Sequence, residues 1–281
     1  MSRRFKQVDV FTTAPFMGNP LAVILDAEGL SGEQMQAIAR WTNLSETTFV
    51  LPATDPAADY RVRIFTTAEE FPFAGHPTLG TAHALLEAGL KPKTAGMLVQ
   101  ECGVGLVPVR IGDGGGLAFR APPATLAALD AGLMPLLLAV LGDETLVADE
   151  QPVVVDMGIR WLVVRLGGAA DCMSVTFDAA TLVDLARRAN VDGLAVYGPH
   201  PSGDPADYEV RAVCVENGVL IEDPVTGSAN ACIARVLSGR DYTVRQGTAL
   251  ARDGRVTVAC RDGEPWIGGK AVTIIDGVMR S

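Results

Sequence analysis

Polar and apolar residues alternate over residues 7–11, and residues 21–25 form a compact apolar run. Both patterns predict strands. Residues 15–20, with Pro at each end and Gly18 inside, make a tight connection between them. Ser31-Gly-Glu-Gln has the form of a capping box and opens a helix through about Thr42. Strands are expected over 46–51 and 60–66, then a helix over 77–88 ended by Gly89, then strands near 96–101, 104–110 and 116–120. Pro122, Pro123 and the Ala/Leu-rich stretch to about residue 150 read as a crossover to a second lobe. In that lobe strands are expected near 152–156 and 160–166, and a helix over 177–190 with Asp178 as its N-cap. Strands near 193–198 and 208–215 follow, then a helix to about Ser238 closed by Gly239, and strands near 255–260 and 266–275.

A short pattern occurs twice. Residues 76–84 read His-Pro-Thr-Leu-Gly-Thr-Ala-His-Ala, and residues 223–231, 147 positions on, read Asp-Pro-Val-Thr-Gly-Ser-Ala-Asn-Ala. In each, a polar residue precedes Pro, Gly follows three residues after the Pro, and a small residue and Ala come next. Residues 18–25 (Gly-Asn-Pro-Leu-Ala-Val-Ile-Leu) are matched 140 positions on by residues 158–165 (Gly-Ile-Arg-Trp-Leu-Val-Val-Arg). Similar segments in the same order point to a duplicated unit. The expected division is residues 1–121 and 122–281. The two motif helices are apolar on more than one face: Leu79, Ala82 and Leu85 in one, Ala229, Cys232, Ile233 and Val236 in the other. A helix apolar all round is buried all round. With so many strands nearby, each lobe is expected to be a sheet wrapped around a central helix.

The 281 residues are 48% hydrophobic and 20% charged, which allows a substantial core. A net charge of −10 argues against a nucleic-acid partner, which needs a basic face. The five cysteines are scattered without a C-x-x-C pair, and with three His in the chain no zinc-ligand spacing occurs. The first ten residues hold no long apolar run, so no signal peptide or membrane span is expected, and a reducing cytoplasm fits best.

Pro at the first helical position is pre-set for helix φ, which places His76 and Asp223 at helix N-caps. Asp is a favoured cap, so Asp223 has a plain structural role open to it. His is not, and His76 is read as facing a ligand, with a buried His bonded to a carbonyl as the plain alternative. Two helix starts in one cleft would offer free N–H groups and positive dipole ends to a carboxylate. Gly75, Gly80 and Gly227 would let backbone approach a ligand, although Gly80 serves close helix–sheet packing equally well. Thr226 and Ser228 add hydroxyls. Glu46 enters a strand among uncharged neighbours, where a carboxylate with a raised pKa would serve as acid and base; most Glu at a strand start are simply solvated. Glu69, Glu70 and Glu222 are further candidates, and Glu222 beside Asp223 would favour a shared proton. No G-x-G-x-x-G follows a strand and no G-x-x-x-x-G-K occurs, so neither route to nucleotide binding is supported.

Val8-Asp-Val-Phe-Thr, Gly18-Asn-Pro-Leu-Ala-Val, Asn43-Leu-Ser-Glu-Thr-Thr-Phe, Pro72-Phe-Ala-Gly-His-Pro-Thr-Leu-Gly and Glu222-Asp-Pro-Val-Thr-Gly-Ser-Ala-Asn together resemble the phenazine-biosynthesis PhzF-like family. Gln246-Gly and Gly268-Gly-Lys-Ala-Val fit it too, so the resemblance spans essentially the whole chain. It implies an α+β, diaminopimelate-epimerase-like fold of two pseudo-symmetric lobes, each a barrel-like sheet around a central helix, assembled as a homodimer. It implies an isomerase without cofactor or metal that moves a proton on a small amino- or hydroxy-carboxylic acid in a site between the lobes. The family's named enzyme isomerises trans-2,3-dihydro-3-hydroxyanthranilate. By this resemblance Glu46 is the acid/base, and His76 and Asp223 are the other catalytic residues. Gly75 and Ser228 hold the substrate, its carboxylate resting near Gly227 and Ser228. Thr67 stands where the family often has Pro, and residues 213–217 depart from its usual Phe-Ala-Pro.

Two other readings stand beside this one. A two-base amino-acid racemase or epimerase on the same fold uses a cysteine from each lobe at the motif turns. This chain has Gly75-His76 and Glu222-Asp223 there, with Cys232 nine residues past Asp223. A non-catalytic protein that binds a small acid would keep the cleft without turnover.

Overall fold

The computed structural model describes residues 2–142, 146–147, 150–216 and 219–280. The chain divides into two compact units, Met1–Arg120 with Ile267–Ser281, and Ala121–Trp266.

The first unit contains β1 (Ser2–Val10), β2 (Asn19–Ile24), α1 (Gly32–Thr42), β3 (Glu46–Leu51), β4 (Tyr60–Phe65), β5 (Glu70–Phe71), α2 (Gly75–Glu87), β6 (Met97–Cys102), β7 (Gly105–Ile111) and β8 (Leu117–Arg120). The expected capping box opens α1: Ser31 Oγ accepts from Gln34 N, and Gln34 Oε1 accepts from Ser31 N. β1 pairs antiparallel with β2, β2 parallel with β3, and β3 antiparallel with β4. β4 pairs parallel with β6, and β6, β7 and β8 follow antiparallel.

Helix α2 touches β1, β2 and β3 near one end of this order and β8 at the other, so the sheet curls around it. Every residue from Gly75 to Ala82 is buried, which is why the helix shows no apolar stripe. Its buried Thr78 is tied into a chain of hydrogen bonds. Tyr60 Oη donates to Gln100 Oε1 at 3.1 Å, Gln100 Nε2 to Thr78 Oγ1 at 2.9 Å, and Thr78 Oγ1 to the Ala74 carbonyl at 2.8 Å. At Gly80 a Cβ would lie 2.5 Å from Leu21 Cδ2 and 2.8 Å from Val10 Cγ2. That glycine therefore serves helix–sheet packing rather than a ligand.

The second unit contains β9 (Thr125–Ala128), α3 (Met134–Leu141), β10 (Val153–Asp156), β11 (Arg160–Arg165), α4 (Ala169–Ser174), α5 (Ala179–Ala189), β12 (Gly193–Pro199), β13 (Tyr208–Glu216), β14 (Val219–Asp223), α6 (Gly227–Leu237), β15 (Tyr242–Gln246) and β16 (Gly254–Arg261). β17 (Glu264–Gly269) carries the chain back to the first unit, and β18 (Ala271–Arg280) follows. β10–β11 is antiparallel, β11–β12 parallel, β12–β13 antiparallel, β13–β15 parallel and β15–β16 antiparallel. This repeats β1 to β7 pair for pair, including both parallel steps. Helix α6 is buried from Gly227 to Ala234 and touches β10, β11 and β12. The duplication read from short sequence matches is present in the topology.

Two expectations change. The division at residue 121/122 does not hold for the chain's end, because Ala271–Arg280 pairs along Ser2–Val10 and belongs with the first unit. The supposed crossover carries its own structure. β9 pairs with β10, and α3 packs Leu137, Val140 and Leu141 in one core with Leu182 and Leu185 of α5. Residues 143–145 and 148–149 of that stretch, and Asn217, lie outside the described residues.

Candidate active site

Neither motif places its polar residue at a helix cap. Helix α2 begins at Gly75 with Ala74 as N-cap, so His76 and Pro77 are its second and third residues. Both the N–H and the hydroxyl of Thr78 bond to the Ala74 carbonyl, which carries the helix back past the Pro. Helix α6 begins at Gly227 with Thr226 as an extended N-cap, and Asp223 is the last residue of β14.

In the first unit the sheet assembles a buried group. The parallel β2–β3 register sets Leu21 opposite Glu46, bringing Asn19 and Glu46 to the same end of the two strands. His76 is 4% exposed; its Nε2 lies 3.5 Å from Glu46 Oε2 and its Nδ1 3.4 Å from Asn19 Nδ2. Burial lowers the His76 pKa to about 3, so the ring is neutral at neutral pH. The chain when unfolded titrates there near 6.5. Between those values the unfolded chain binds a proton that the folded state refuses, so folding stability falls as pH drops from 6.5 toward 3. Denaturation midpoints followed against pH should show this slope in the wild type and a flatter one in His76→Gln.

In the second unit Asp223 Oδ2 accepts the Thr226 hydroxyl at 2.5 Å. Gln246 ties the turn together. Its Nε2 donates to the Asp223 carbonyl at 3.2 Å and to Thr226 Oγ1 at 2.9 Å; its Oε1 accepts from Thr226 N at 3.1 Å and Asn230 Nδ2 at 2.9 Å. Gly227 and Ser228 stand buried in the first turn of α6. Trp161 Nε1 donates to Ser228 Oγ at 3.1 Å, which leaves the Ser228 hydroxyl proton to be donated elsewhere. Gly193 makes room for that indole: a Cβ there would meet Trp161 Cζ3 at 2.4 Å.

The other acidic candidates are committed or solvated. Glu222 forms two 2.8 Å bonds with Arg211, so it is an ion-pair partner and not a proton-sharing neighbour of Asp223. Glu70 is paired with Arg63, and Glu69 is exposed. Cys232 is fully buried in α6 with Sγ 3.9 Å from the Val155 carbonyl, and burial pushes its thiol pKa up. Asn19 and Gln246 were not singled out as site residues from the sequence, although Asn19 stands in the Gly-Asn-Pro segment and Gln246 in Gln-Gly. A groove of about 900 Å³ in the first unit, lined by Leu30, Leu51, Arg61, Phe71 and Pro72 among others, does not include Glu46 or His76. Among the described residues no group of His, Cys, Asp and Glu is arranged to hold a metal ion, and no helix is long and apolar enough to cross a membrane.

The chain is similar to solved and named proteins along its whole length. A phenazine biosynthesis protein of the PhzF family from Bacillus anthracis matches with a TM-score of 0.86 and 26% identity, covering 100% of both chains. Antisense-enhancing sequence 1 of Schizosaccharomyces pombe is 34% identical over 292 residues, 97% of each chain. Trans-2,3-dihydro-3-hydroxyanthranilate isomerase of Pseudomonas aeruginosa is 57% identical over 83 residues, 29% of each chain. Architecture and relatives together define the class: an isomerase on the diaminopimelate-epimerase-like α+β fold. The chain belongs to the PhzC-PhzF family of phenazine biosynthesis-like proteins, whose sequence profile matches residues 8–277.

Proposed function

We propose that this isomerase shifts a proton, without a cofactor, on a small amino- or hydroxy-carboxylic acid, with Glu46 as the acid/base. The observation that carries the reading is the Glu46 carboxylate 3.5 Å from the buried, neutral His76 ring. Glu46 takes a proton from a substrate carbon, and the electron pair left behind spreads into the adjoining conjugated system. The same carboxyl returns the proton at a second carbon of that system, so the enzyme ends unchanged and the substrate isomerised. Asp223 and His76 orient the amino and hydroxyl or carbonyl groups. The Gly227 and Ser228 end of α6 and the backbone at Gly75 hold the substrate, with Ser228 donating its free hydroxyl proton to the carboxylate.

Two lines support the substrate class. The P. aeruginosa relative acts on a cyclic amino-hydroxy acid by its name. Both units also present the first turn of a buried helix, where amides and dipole favour an anion. A thiol racemase is less well supported, since Cys232 is buried with a raised pKa. Assembly as a homodimer in the cytoplasm belongs to the same reading, and static light scattering measures the assembly.

The test is incubation in heavy water with trans-2,3-dihydro-3-hydroxyanthranilate and a panel of small cyclic and acyclic amino and hydroxy acids. Deuterium should enter a carbon position of at least one of them, together with isomerised product and with nothing added. Tight binding by calorimetry without exchange or product for any of them would make the chain a small-acid binding protein.

A further inference from the structure

We propose that Asn19 is a positioning residue that fixes the ring proton of His76 on Nε2, facing Glu46, and so holds the imidazole as a donor rather than a base. The functional consequence rests on the proposed role of Glu46; the proton's location does not.

The His76 ring is almost wholly enclosed, so the groups that face its nitrogens decide where its proton sits. Asn19 Nδ2 reaches Nδ1 at 3.4 Å. An amide NH2 group can only donate, so Nδ1 accepts, and a neutral ring that accepts at Nδ1 carries its proton on Nε2. Nε2 makes no hydrogen bond among the described residues, and Glu46 Oε2 at 3.5 Å is the carboxylate oxygen it faces.

The chain around Asn19 is built to hold that amide still. Gly18 N donates to both oxygens of Asp9 at 3.1 Å, and a Cβ on Gly18 would fall 2.1 Å from the Val10 carbonyl oxygen. Glycine is therefore required at that point. Pro20 confines the residue before it to extended backbone, and Asn19 pairs with Val10 in the β1–β2 ladder. Asn19 itself is fully buried. Gly-Asn-Pro thus reads as a turn, an amide and a backbone clamp, each needed to set one hydrogen bond on a residue 57 positions away.

A ring that donates from Nε2 cannot take a proton there. Glu46 is left as the base of the pair, and the ring's N–H steadies its carboxylate without placing a full positive charge beside it. That arrangement suits one group that collects a proton and gives the same proton back.

The experiment is nitrogen-15 labelling of the histidines in the full chain, with two-bond nitrogen–proton correlation near neutral pH. The chain has three His, and His76→Gln assigns the signal of interest. The wild type should show the Nε2–H pattern at His76. Asn19→Asp replaces a donor with an acceptor and should move a proton onto Nδ1, as the other neutral form or as imidazolium. An Nδ1–H pattern in the wild type, or an Asn19→Asp spectrum unchanged from it, overturns the proposal. If Asn19→Asp does not fold, the wild-type spectrum alone decides. An Nε2–H pattern in a chain whose Glu46 proves dispensable speaks against the catalytic reading and leaves Asn19's role standing.

Discussion

Replacing Glu46 by Gln is expected to cut carbon-bound deuterium exchange and turnover together, by about a hundred- to ten-thousandfold. Gln keeps the size of the side chain and still sets an oxygen toward His76 Nε2, so the fold and the neighbouring Thr47 and Thr48 packing should stay as they are. What it loses is the capacity to hold a proton and release it. Because the lost interaction belongs to the reacting state, kcat and kcat/KM should fall by similar factors while KM moves little. His76 is a poor replacement, since burial lowers its pKa to about 3 and makes the ring a weak base. Exchange that persists within a few-fold of wild type in Glu46→Gln would remove Glu46 as the base. Asp223 would then be the next carboxylate to replace.

The paired motif was legible in the sequence because it is local, and so were the buried helices behind it. What could not be read was where each helix begins. Pro fixes its own φ, but whether it stands inside a helix or ahead of one depends on Thr78 bonding back to Ala74 in one copy and on Thr226 staying extended in the other. The consequence is that like residues take unlike places: His76 lies inside a helix and Asp223 ends a strand. The partners that define each cluster are invisible for a second reason. Asn19 meets His76 across 57 residues and Gln246 meets Thr226 across 20, through side-chain amides that no periodicity marks. Helix α3 is not legible because Pro-Leu-Leu-Leu-Ala-Val-Leu has no polar face to give a helical period. The place of the C-terminal strand is not legible either, because pairing with β1 is a property of topology, which neither strand's own pattern contains. Leu21 packs against Gly80 in one unit and Trp161 bonds Ser228 in the other, so one frame carries two different fillings.

Arg211→Met is expected to cost about 3–5 kcal/mol of folding stability. The Arg211 and Glu222 side chains are 8% and 12% exposed and joined by two parallel 2.8 Å bonds. Arg211 Nη1 also donates to the Cys172 and Val175 carbonyls at 2.9 and 2.7 Å, and the guanidinium lies 4.7 Å from the Phe177 ring. Removing it leaves Glu222 as a largely buried charge without its partner. A solvated ion pair would be worth no more than about 1 kcal/mol, so the size of the loss reports how enclosed this one is. The pair is not needed for stability as such. Arg211→Met combined with Glu222→Leu replaces both charges by apolar atoms and should recover most of the loss, short of the two carbonyl bonds. Urea unfolding of the two variants measures this, and a single variant within about 1 kcal/mol of wild type would show that water reaches Glu222. The pair also matters for the proposed chemistry, because Glu222 precedes Asp223 and the β13–β14 register sets Asp223 opposite Ala212, next to Arg211. The double variant should therefore fold nearly as well as wild type yet lose proton-shift activity, since the charged clamp that holds the end of β14 is gone while the core beneath it remains.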